Sequence, residues 1–285
     1  MARVPRYEPD IALTRLETVR ASRAAVDQRR GRAGRTEPGI CYRLWDEPQT
    51  ASLAAYSQPE ILSADLSTLV LDLAQWGVTD PHQLAFLDPP PAPAWKEARS
   101  LLHELGALDV GGRITAEGKS LRALALPPRL ARMIVDSNRF GSGEEAAAIA
   151  VVLTERGLGG DDLDARLDQF RRDRSQRASS ARDLARRWAQ QVAAAEKPKG
   201  EGGLSTGLML SFAFPDRVAR NRGNGSFVLA NGRGAAVEQT SSLARAPYIA
   251  VGELTGTAAS GRILLAASIT QDEIEQHFEI GRAHV

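Results

Sequence analysis

The sequence predicts a mixed fold, in part α/β and in part α, of about two domains. Its 285 residues suggest two because a domain averages roughly 150 residues. Apolar and polar residues alternate near the start of the chain, helix patterns with capping residues fill the middle, and short apolar runs between Gly/Asn turns follow residue 204. These three patterns predict strands, then helices, then a β-rich region.

Residues 1–50 are expected to hold strands on both sides of a helix. Residues 12–19 alternate apolar and polar side chains, as a half-buried strand does. Ser22 can cap the helix that follows. Residues 39–45 are rich in β-forming side chains, so we expect a further strand there, with Cys41 buried in it.

Residues 51–126 are predicted to form a winged helix. Ser63 can cap a first helix that Gly77 ends, and residues 94–105 have the apolar spacing of a second. The Gly-Gly pair at 111–112 lies between two short apolar segments, which predicts a hairpin with a two-residue primed turn. Two helices followed by a hairpin are typical of a winged helix.

Residues 127–197 are predicted to form a basic helical bundle. Between Arg166 and Arg187 eight arginines stand against three aspartates. These arginines either follow a phosphate backbone or form the solvated face of a helical pair, and we favour the solvated face. Trp188 is at helical spacing from two apolar residues and is therefore expected in the core.

Residues 204–279 are predicted to form an incomplete β-rich domain, which a flexible linker at 198–203 joins to the helices. Gly223-Asn224-Gly225 could cradle a phosphate, but turn chemistry between short strands is the better interpretation. Residues 280–285 look like a translated sequencing adapter and are excluded from fold reasoning.

Bulk properties exclude several classes of protein. The net charge of +1 gives no global sign of a nucleic-acid or membrane partner. The single cysteine excludes an internal disulfide and fits a reducing compartment, so we expect a cytoplasmic protein. None of the four histidines has metal-ligand spacing with another, and no apolar run approaches the roughly 18 residues of a membrane span.

The run QRRGRAGR at residues 28–35 carries the chemistry. A fixed guanidinium stabilises the charge that develops on a γ-phosphate during hydrolysis. Arg32 and Arg35 are three residues apart and would face one way on a helical turn. Gly31 and Gly34 remove side chains where the backbone could approach a phosphate, and Gln28 could orient a water. The alternative is a basic arm that binds nucleic acid or serves as a nuclear address.

This run resembles motif VI of the DEAH-box helicases of superfamily 2, and the residues around it resemble the bacterial HrpB-type ATP-dependent helicases. The resemblance continues to residue 279 through further short matches. These are LDPP at 87–90, LGAL at 105–108, LPPRLA at 126–131, FPDR at 214–217 and LANGRGA at 229–235.

The resemblance implies a C-terminal portion of such a helicase, lacking sequence at both ends. Residues 1–50 would be the C-terminal part of a second RecA-like domain, residues 127–197 a ratchet-like domain, and residues 204–279 the β-rich domain peculiar to the HrpB type.

The resemblance also implies roles for single residues. Arg32 and Arg35 would be arginine fingers, and Gln28 would contact the ATP γ-phosphate or the attacking water. ATP and Mg²⁺ would be bound mainly by a missing N-terminal half, so we expect this chain alone to be inactive. Its partner would be RNA or DNA. The rival hypothesis is a non-enzymatic winged-helix protein that binds nucleic acid.

Two further stretches imitate functional motifs. Gly118-Lys119-Ser120 resembles the end of a phosphate-binding loop, but that loop needs a glycine where Arg113 stands. We expect Thr115 to cap a helix there instead. The acidic residues at 272–275 imitate a metal-binding box and are expected to begin a helix.

Overall fold

The computed structural model of the protein describes residues 2–8, 13–154, 159–257 and 260–278. Backbone contacts divide the chain into two compact units. The first comprises Met1–Leu66 and Asp80–Ala98, and the second comprises Ser67–Thr79 and Arg99–Val285. Among the described residues, no helix is both long and apolar enough to cross a membrane.

The first unit begins with an antiparallel pair of strands, β1 (Ala2–Glu8) and β2 (Leu13–Val19). Helix α1 (Arg23–Ala33) and the short helix α2 (Glu47–Ala51) follow. The predicted strand at 12–19 is confirmed from Leu13 onward, while residue 12 lies outside the described residues.

The strand predicted at 39–45 is wrong, and Cys41 is exposed rather than buried. A strand needs a partner for its backbone N–H and C=O groups. Among the described residues, none forms a ladder with this segment. Its β-forming composition alone therefore does not make this segment a strand.

The second unit contains most of the helices. They are α3 (Ser67–Gln75), α5 (Ala116–Ala123), α6 (Pro128–Arg139), α7 (Gly143–Thr154), α8 (Leu163–Arg172), α9 (Gln176–Ala195), α10 (Thr206–Ala213) and α11 (Gln271–His277), while α4 (Ala92–Glu104) crosses the boundary between the units. Gly77 and Gly106 follow α3 and α4 with positive φ, and the predicted helix end at Gly77 is confirmed.

Ser63 does not cap α3, contrary to the prediction. It ends a 3₁₀ turn at Glu60–Leu62 by donating its backbone N–H to the Glu60 carbonyl, and α3 begins at Ser67. Serine satisfies the termini of either kind of helix, so the residue type alone did not select between them.

The predicted hairpin at 107–114 is a single bridge between Leu108 and Ile114 rather than two strands. Its loop has three residues instead of two. The Gly112 N–H donates to the Asp109 carbonyl and the Asp109 N–H to the Arg113 carbonyl, both at 2.9 Å. Gly112 alone of the glycine pair has positive φ, which is the pattern of a type I turn with a bulge.

Thr115 caps α5, as predicted, by accepting from the Gly118 N–H at 3.0 Å. Its hydroxyl donates to the Gly106 carbonyl at 2.6 Å. A Cβ atom on Gly118 would lie 2.2 Å from the Ala107 carbonyl oxygen. Helix α5 packs against this backbone. This packing explains the glycine at the start of Gly118-Lys119-Ser120, the run that resembles the end of a phosphate-binding loop.

The basic segment forms two consecutive helices, α8 and α9, which both pack against α7, and Phe170 of α8 and Trp188 of α9 are buried. The prediction that Trp188 belongs to the core is confirmed. Residues 198–203, predicted as a flexible linker, lie against the end of α6. The Gly202 N–H donates to the Phe140 carbonyl at 2.7 Å, and the Lys199 N–H donates to the Arg139 carbonyl at 3.0 Å.

The β-rich region begins with α10, which the sequence did not predict as a helix. Nearly all of its residues are buried, so it lacks the polar face that reveals a helix by its periodicity. The strands follow it. They are β3 (Val218–Gly223), β4 (Ser226–Leu229), β5 (Gly234–Ala236), β6 (Tyr248–Thr257) and β7 (Ser260–Ile269).

These five strands form a closed barrel in the order β3-β4-β5-β7-β6, although an incomplete β-rich domain was predicted. All neighbours are antiparallel except β5 and β7, which are parallel. A five-stranded Greek-key barrel of this kind is an OB-fold. Asn224 and both flanking glycines have positive φ in the β3–β4 turn, which supports turn chemistry there.

Helix α11 confirms the acidic helix start predicted at 272–275. Thr270 and Glu273 form a reciprocal capping box, in which the Glu273 carboxylate accepts from the Thr270 N–H at 2.8 Å.

The close approach at Gly118 predicts a stability effect. Gly118→Ala is expected to lower the free energy of unfolding by about 1–3 kcal/mol, because the new methyl group meets a backbone oxygen that cannot rotate away. Ser120→Ala, on an exposed position of the same helix, should change it by less than about 0.5 kcal/mol. Urea unfolding of both variants measures the difference. Equal stability of the two would show that α5 does not pack closely on Ala107.

Candidate nucleotide-contacting arginines

The start of α1 is fixed by the chain that follows the helix. The Ser22 hydroxyl accepts from the Ala25 N–H at 3.2 Å and lies 3.2 Å from the Ser57 hydroxyl. The first two N–H groups of the helix donate to the carbonyls of Ala54 and Ala55 at 2.8 and 3.1 Å. Backbone donors that helices commonly leave to water are thus satisfied within the unit.

The end of α1 is fixed by the segment that returns along it. A Cβ atom on Gly39 would lie 1.7 Å from the Ala33 carbonyl oxygen, so only glycine fits there. Further along, the Arg43 guanidinium donates to the Asp27 carboxylate at 3.0 Å. No local pattern in the sequence predicts this pairing, because the two residues are sixteen positions apart.

Helix α1 separates the arginines of the 28–35 run by face. Gln28 and Arg32 are four residues apart and lie on the same face. The opposite face carries Val26, which is buried, together with Arg29 and Arg30.

Arg35 lies beyond the helix, which ends at Ala33 with Gly34 as its C-cap. The expected helical spacing between Arg32 and Arg35 is therefore wrong. A glycine cap with φ −117° turns the chain out of the helical path before Arg35 is reached.

The three predicted site residues are all exposed. Among the described residues, none accepts a hydrogen bond from the side chains of Gln28, Arg32 or Arg35 or forms an ion pair with them. A Cβ atom on Gly31 would meet nothing within 4 Å, so the backbone beside Arg32 is open. An unpaired guanidinium on a helix whose backbone is fixed, such as that of Arg32, is available to a phosphate anion because it need not first give up an internal acceptor.

A cavity of about 410 Å³ lies on the other face of α1, and the predicted site residues do not line it. Asp27 is paired with Arg43, and its carboxylate is also 4.0 Å from Arg30. The lining residues are Arg20, Ala21, Val26, Arg29, Arg30, Cys41, Tyr42, Arg43, Trp45, Gln49 and Leu53. Helix α1 thus places Arg29 and Arg30 in surroundings different from those of Arg32.

The segment that returns along α1 beside this cavity leaves apolar side chains in solvent. Ile40, Tyr42 and Leu44 are 78%, 83% and 94% exposed.

In the described ranges, no cluster of three or more His, Cys, Asp or Glu side chains is arranged to hold a metal ion.

The eight arginines between Arg166 and Arg187 are only partly free. Two hold backbone carbonyls: Arg166 donates to Gly160 at 2.8 Å, and Arg182 donates to Phe170 and Asp173, both at 2.8 Å. Three others pair with aspartates of their own helix: Arg171 and Arg172 with Asp168, and Arg186 with Asp183. Most of these guanidiniums therefore contact carbonyls or aspartates of α8, α9 and the residues beside them.

Comparison with known proteins finds no matching family model. The chain is 40% identical over 280 residues to the ATP-dependent RNA helicase HrpB of Escherichia coli, which covers 96% of this chain and 33% of that protein. It is 37% identical over 148 residues to the probable ATP-dependent RNA helicase DHX34 of mouse, covering 52% of this chain and 13% of that protein.

A solved structure agrees with the sequence comparison. The crystal structure of the E. coli DExH-box NTPase HrpB superimposes with a TM-score of 0.79 and 37% identity, over 97% of this chain and 34% of that one. The chain spans about a third of the length of this relative. Its resemblance to the HrpB-type DEAH-box helicases, first indicated by the run at 28–35, is therefore confirmed in sequence and fold over nearly all of its residues.

Proposed function

We propose that the chain is the C-terminal portion of an ATP-dependent helicase that couples ATP hydrolysis to translocation along nucleic acid or to its unwinding. The observation that carries this proposal is the exposed pair of Gln28 and Arg32 on a helix fixed at both ends, within a chain 40% identical to HrpB. Because its relatives are named RNA helicases, RNA is the nucleic acid we favour.

In this proposal Arg32 and Arg35 neutralise charge on the γ-phosphate in the transition state, and Gln28 contacts that phosphate or the attacking water. Their exposure and lack of internal partners support the assignment. ATP and Mg²⁺ are proposed to bind mainly through residues of a longer protein, and this chain adds the arginines. Bound ATP supplies the phosphoryl group that these side chains face.

The domain boundaries belong to the same proposal. Residues 1–50 are assigned to a second RecA-like domain, 51–126 to a winged helix, 127–197 to a ratchet-like domain and 204–279 to the HrpB-type C-terminal region. The reversal at Asp109–Gly112 supports the second of these assignments, and the packing of α8 and α9 against α7 supports the third. We place the protein in the cytoplasm.

A non-enzymatic winged-helix protein that binds nucleic acid is the weaker candidate. It would give no role to an exposed, internally unpaired Arg32 on a helix whose ends are both fixed. It would also leave the identity to named ATP-dependent helicases across 96% of the chain without a reason.

The chain alone is expected to release no phosphate from ATP above background, with or without RNA, because the proposed γ-phosphate contacts are only part of an ATP site. Phosphate release by the purified chain is measured before and after a further purification step. Turnover that persists at constant specific activity would contradict the assignment.

In the longer protein, Arg32→Ala and Arg35→Ala should each lower kcat for ATP hydrolysis by about 10³-fold, since arginine fingers act on the transition state. Steady-state kinetics should show a smaller change in KM. Arg30→Ala is the matched control, because it removes a guanidinium of the same run from the opposite face of α1. A kcat for Arg32→Ala no lower than that of the control would reassign Arg32 to a structural role.

Gly31→Ala separates function from stability. The added methyl group meets no atom, and alanine favours a helix over glycine by up to about 1 kcal/mol, so thermal unfolding should show equal or greater stability. ATP turnover in the longer protein should nevertheless fall if a phosphate approaches this backbone. Gly39→Ala, whose methyl group would strike the Ala33 carbonyl, should instead destabilise the first unit. Full turnover by Gly31→Ala would place the phosphate away from this helix turn.

A further inference from the structure

The barrel carries more arginine than acid, and its charges are unevenly paired. From residue 216 to residue 269 there are six arginines and three carboxylates, without lysine. Asp216 pairs with Arg129 at 2.7 Å, and Glu238 pairs with Arg262. Glu253 is half-buried; burial raises its pKa, and the nearby Arg166 lowers it. The cations near these three carboxylates are therefore Arg129, Arg262 and Arg166.

Three arginines of the barrel are exposed and, within the described part of the chain, have neither a hydrogen bond nor an ion pair from their side chains. Arg220 and Arg222 lie on β3, two positions apart. Arg245 ends the 3₁₀ turn Ser242–Arg245 that precedes β6. Uncompensated guanidiniums at this density create a local positive field although the whole chain is nearly neutral.

Asn221 brings these arginines together. Its side-chain amide donates to the carbonyls of Ala244 and Ala246 at 2.9 and 2.8 Å, and its backbone N–H donates to the Pro247 carbonyl at 2.9 Å. These bonds hold the residues on either side of Arg245 against the residue between Arg220 and Arg222. The three guanidiniums therefore start from neighbouring points of the backbone.

An aromatic side chain completes this surface. Tyr248, the first residue of β6, is in register with Arg220 of β3 and is partly exposed. We define the seam as Arg220, Arg222, Arg245 and Tyr248. The outer surface of β4 and β5, where OB-folds commonly bind oligonucleotides, differs from it. Those two strands contain no charged residue, and their one aromatic residue, Phe227, is buried.

We propose that the seam binds single-stranded nucleic acid, with the three guanidiniums on successive phosphates and Tyr248 stacked on a base. Arginine pairs with phosphate through parallel N–H donors, and a base stacks on an aromatic ring regardless of sequence. The inference rests on the proposed function, which supplies the nucleic acid as partner. It adds that the strand crosses the β3–β6 side of the barrel rather than the β4–β5 side.

The test measures binding of the full chain to fluorescent oligouridylate at several salt concentrations. Replacing Arg220, Arg222 and Arg245 together by alanine should lower the affinity at least tenfold and reduce the slope of log affinity against log salt by about two units, since each lost phosphate contact on a single strand removes about 0.7. Tyr248→Leu should lower the affinity about fivefold or more without changing the slope.

Two single variants serve as controls. Arg262→Ala removes an exposed arginine of the barrel that is already paired with Glu238, so the affinity and slope should stay near those of the unchanged chain. Arg233→Ala removes the cation nearest the β4–β5 turn. A loss with Arg233→Ala but not with the triple variant would overturn the seam and place the strand on the β4–β5 side.

The outcomes also distinguish a failure of the seam from a failure of the proposed helicase function. Binding by the unchanged chain that the triple variant retains in full refutes the seam and leaves the helicase proposal intact. If the unchanged chain binds neither RNA nor DNA oligonucleotides at low salt, the proposed function itself loses its nucleic-acid partner, and the seam falls with it. Circular dichroism of the triple variant shows whether the barrel remains folded.

Discussion

The second unit depends on the arginines of α6. Arg129 donates to the Asp216 carboxylate at 2.7 Å and to the Ala213 carbonyl at 3.1 Å, which ties the helices to the start of the barrel. The guanidiniums of Arg129 and Arg217 both contact the Phe214 ring, at 5.6 and 4.3 Å from its centroid. The short matches at 126–131 and 214–217 therefore meet in space, and their contact is structural.

The other end of α6 is held by a network of ions. Arg132 donates to Glu117 of α5 at 2.7 Å and to Asp136 at 2.6 Å, and Arg139 donates to Asp136 at 2.8 Å and to Glu196 at 3.2 Å. Burial raises the pKa of Asp136, while the two arginines oppose that rise. A partly buried carboxylate of this kind is costly without its partners, so losing either arginine would strand a charge. The network fixes the relative placement of α5, α6 and the end of α9.

Compared with these internally paired arginines, Arg32, Arg35 and the seam of the barrel stand out as unsatisfied. Arginine is abundant throughout the chain, and its function follows from what each guanidinium already contacts. Arg166 and Arg182 lie in the most basic stretch and yet are committed to backbone carbonyls. Arg220 and Arg245 are far apart in sequence, and the hydrogen bonds of Asn221 bring their backbone segments together. The number of arginines in a stretch of sequence therefore overestimates how many guanidiniums of α8 and α9 are free. It also does not reveal the unpaired guanidiniums that the barrel brings together.

The sequence by itself determined the features that depend on neighbours along the chain. Capping by Ser22 and Thr115, the glycine ends of α3 and α4, and the short strands of the barrel all follow from local backbone chemistry. The run at residues 28–35 and the short matches after it indicated the resemblance to HrpB-type helicases that the comparisons confirm. Tertiary structure decided the rest. Residues 39–45 have the composition of a strand but no ladder partner among the described residues, α10 is too thoroughly buried to show a periodic pattern, and closure of the barrel rests on the parallel pairing of β5 with β7. Such pairings join residues distant in sequence, and their free energy comes from contacts that no local window contains.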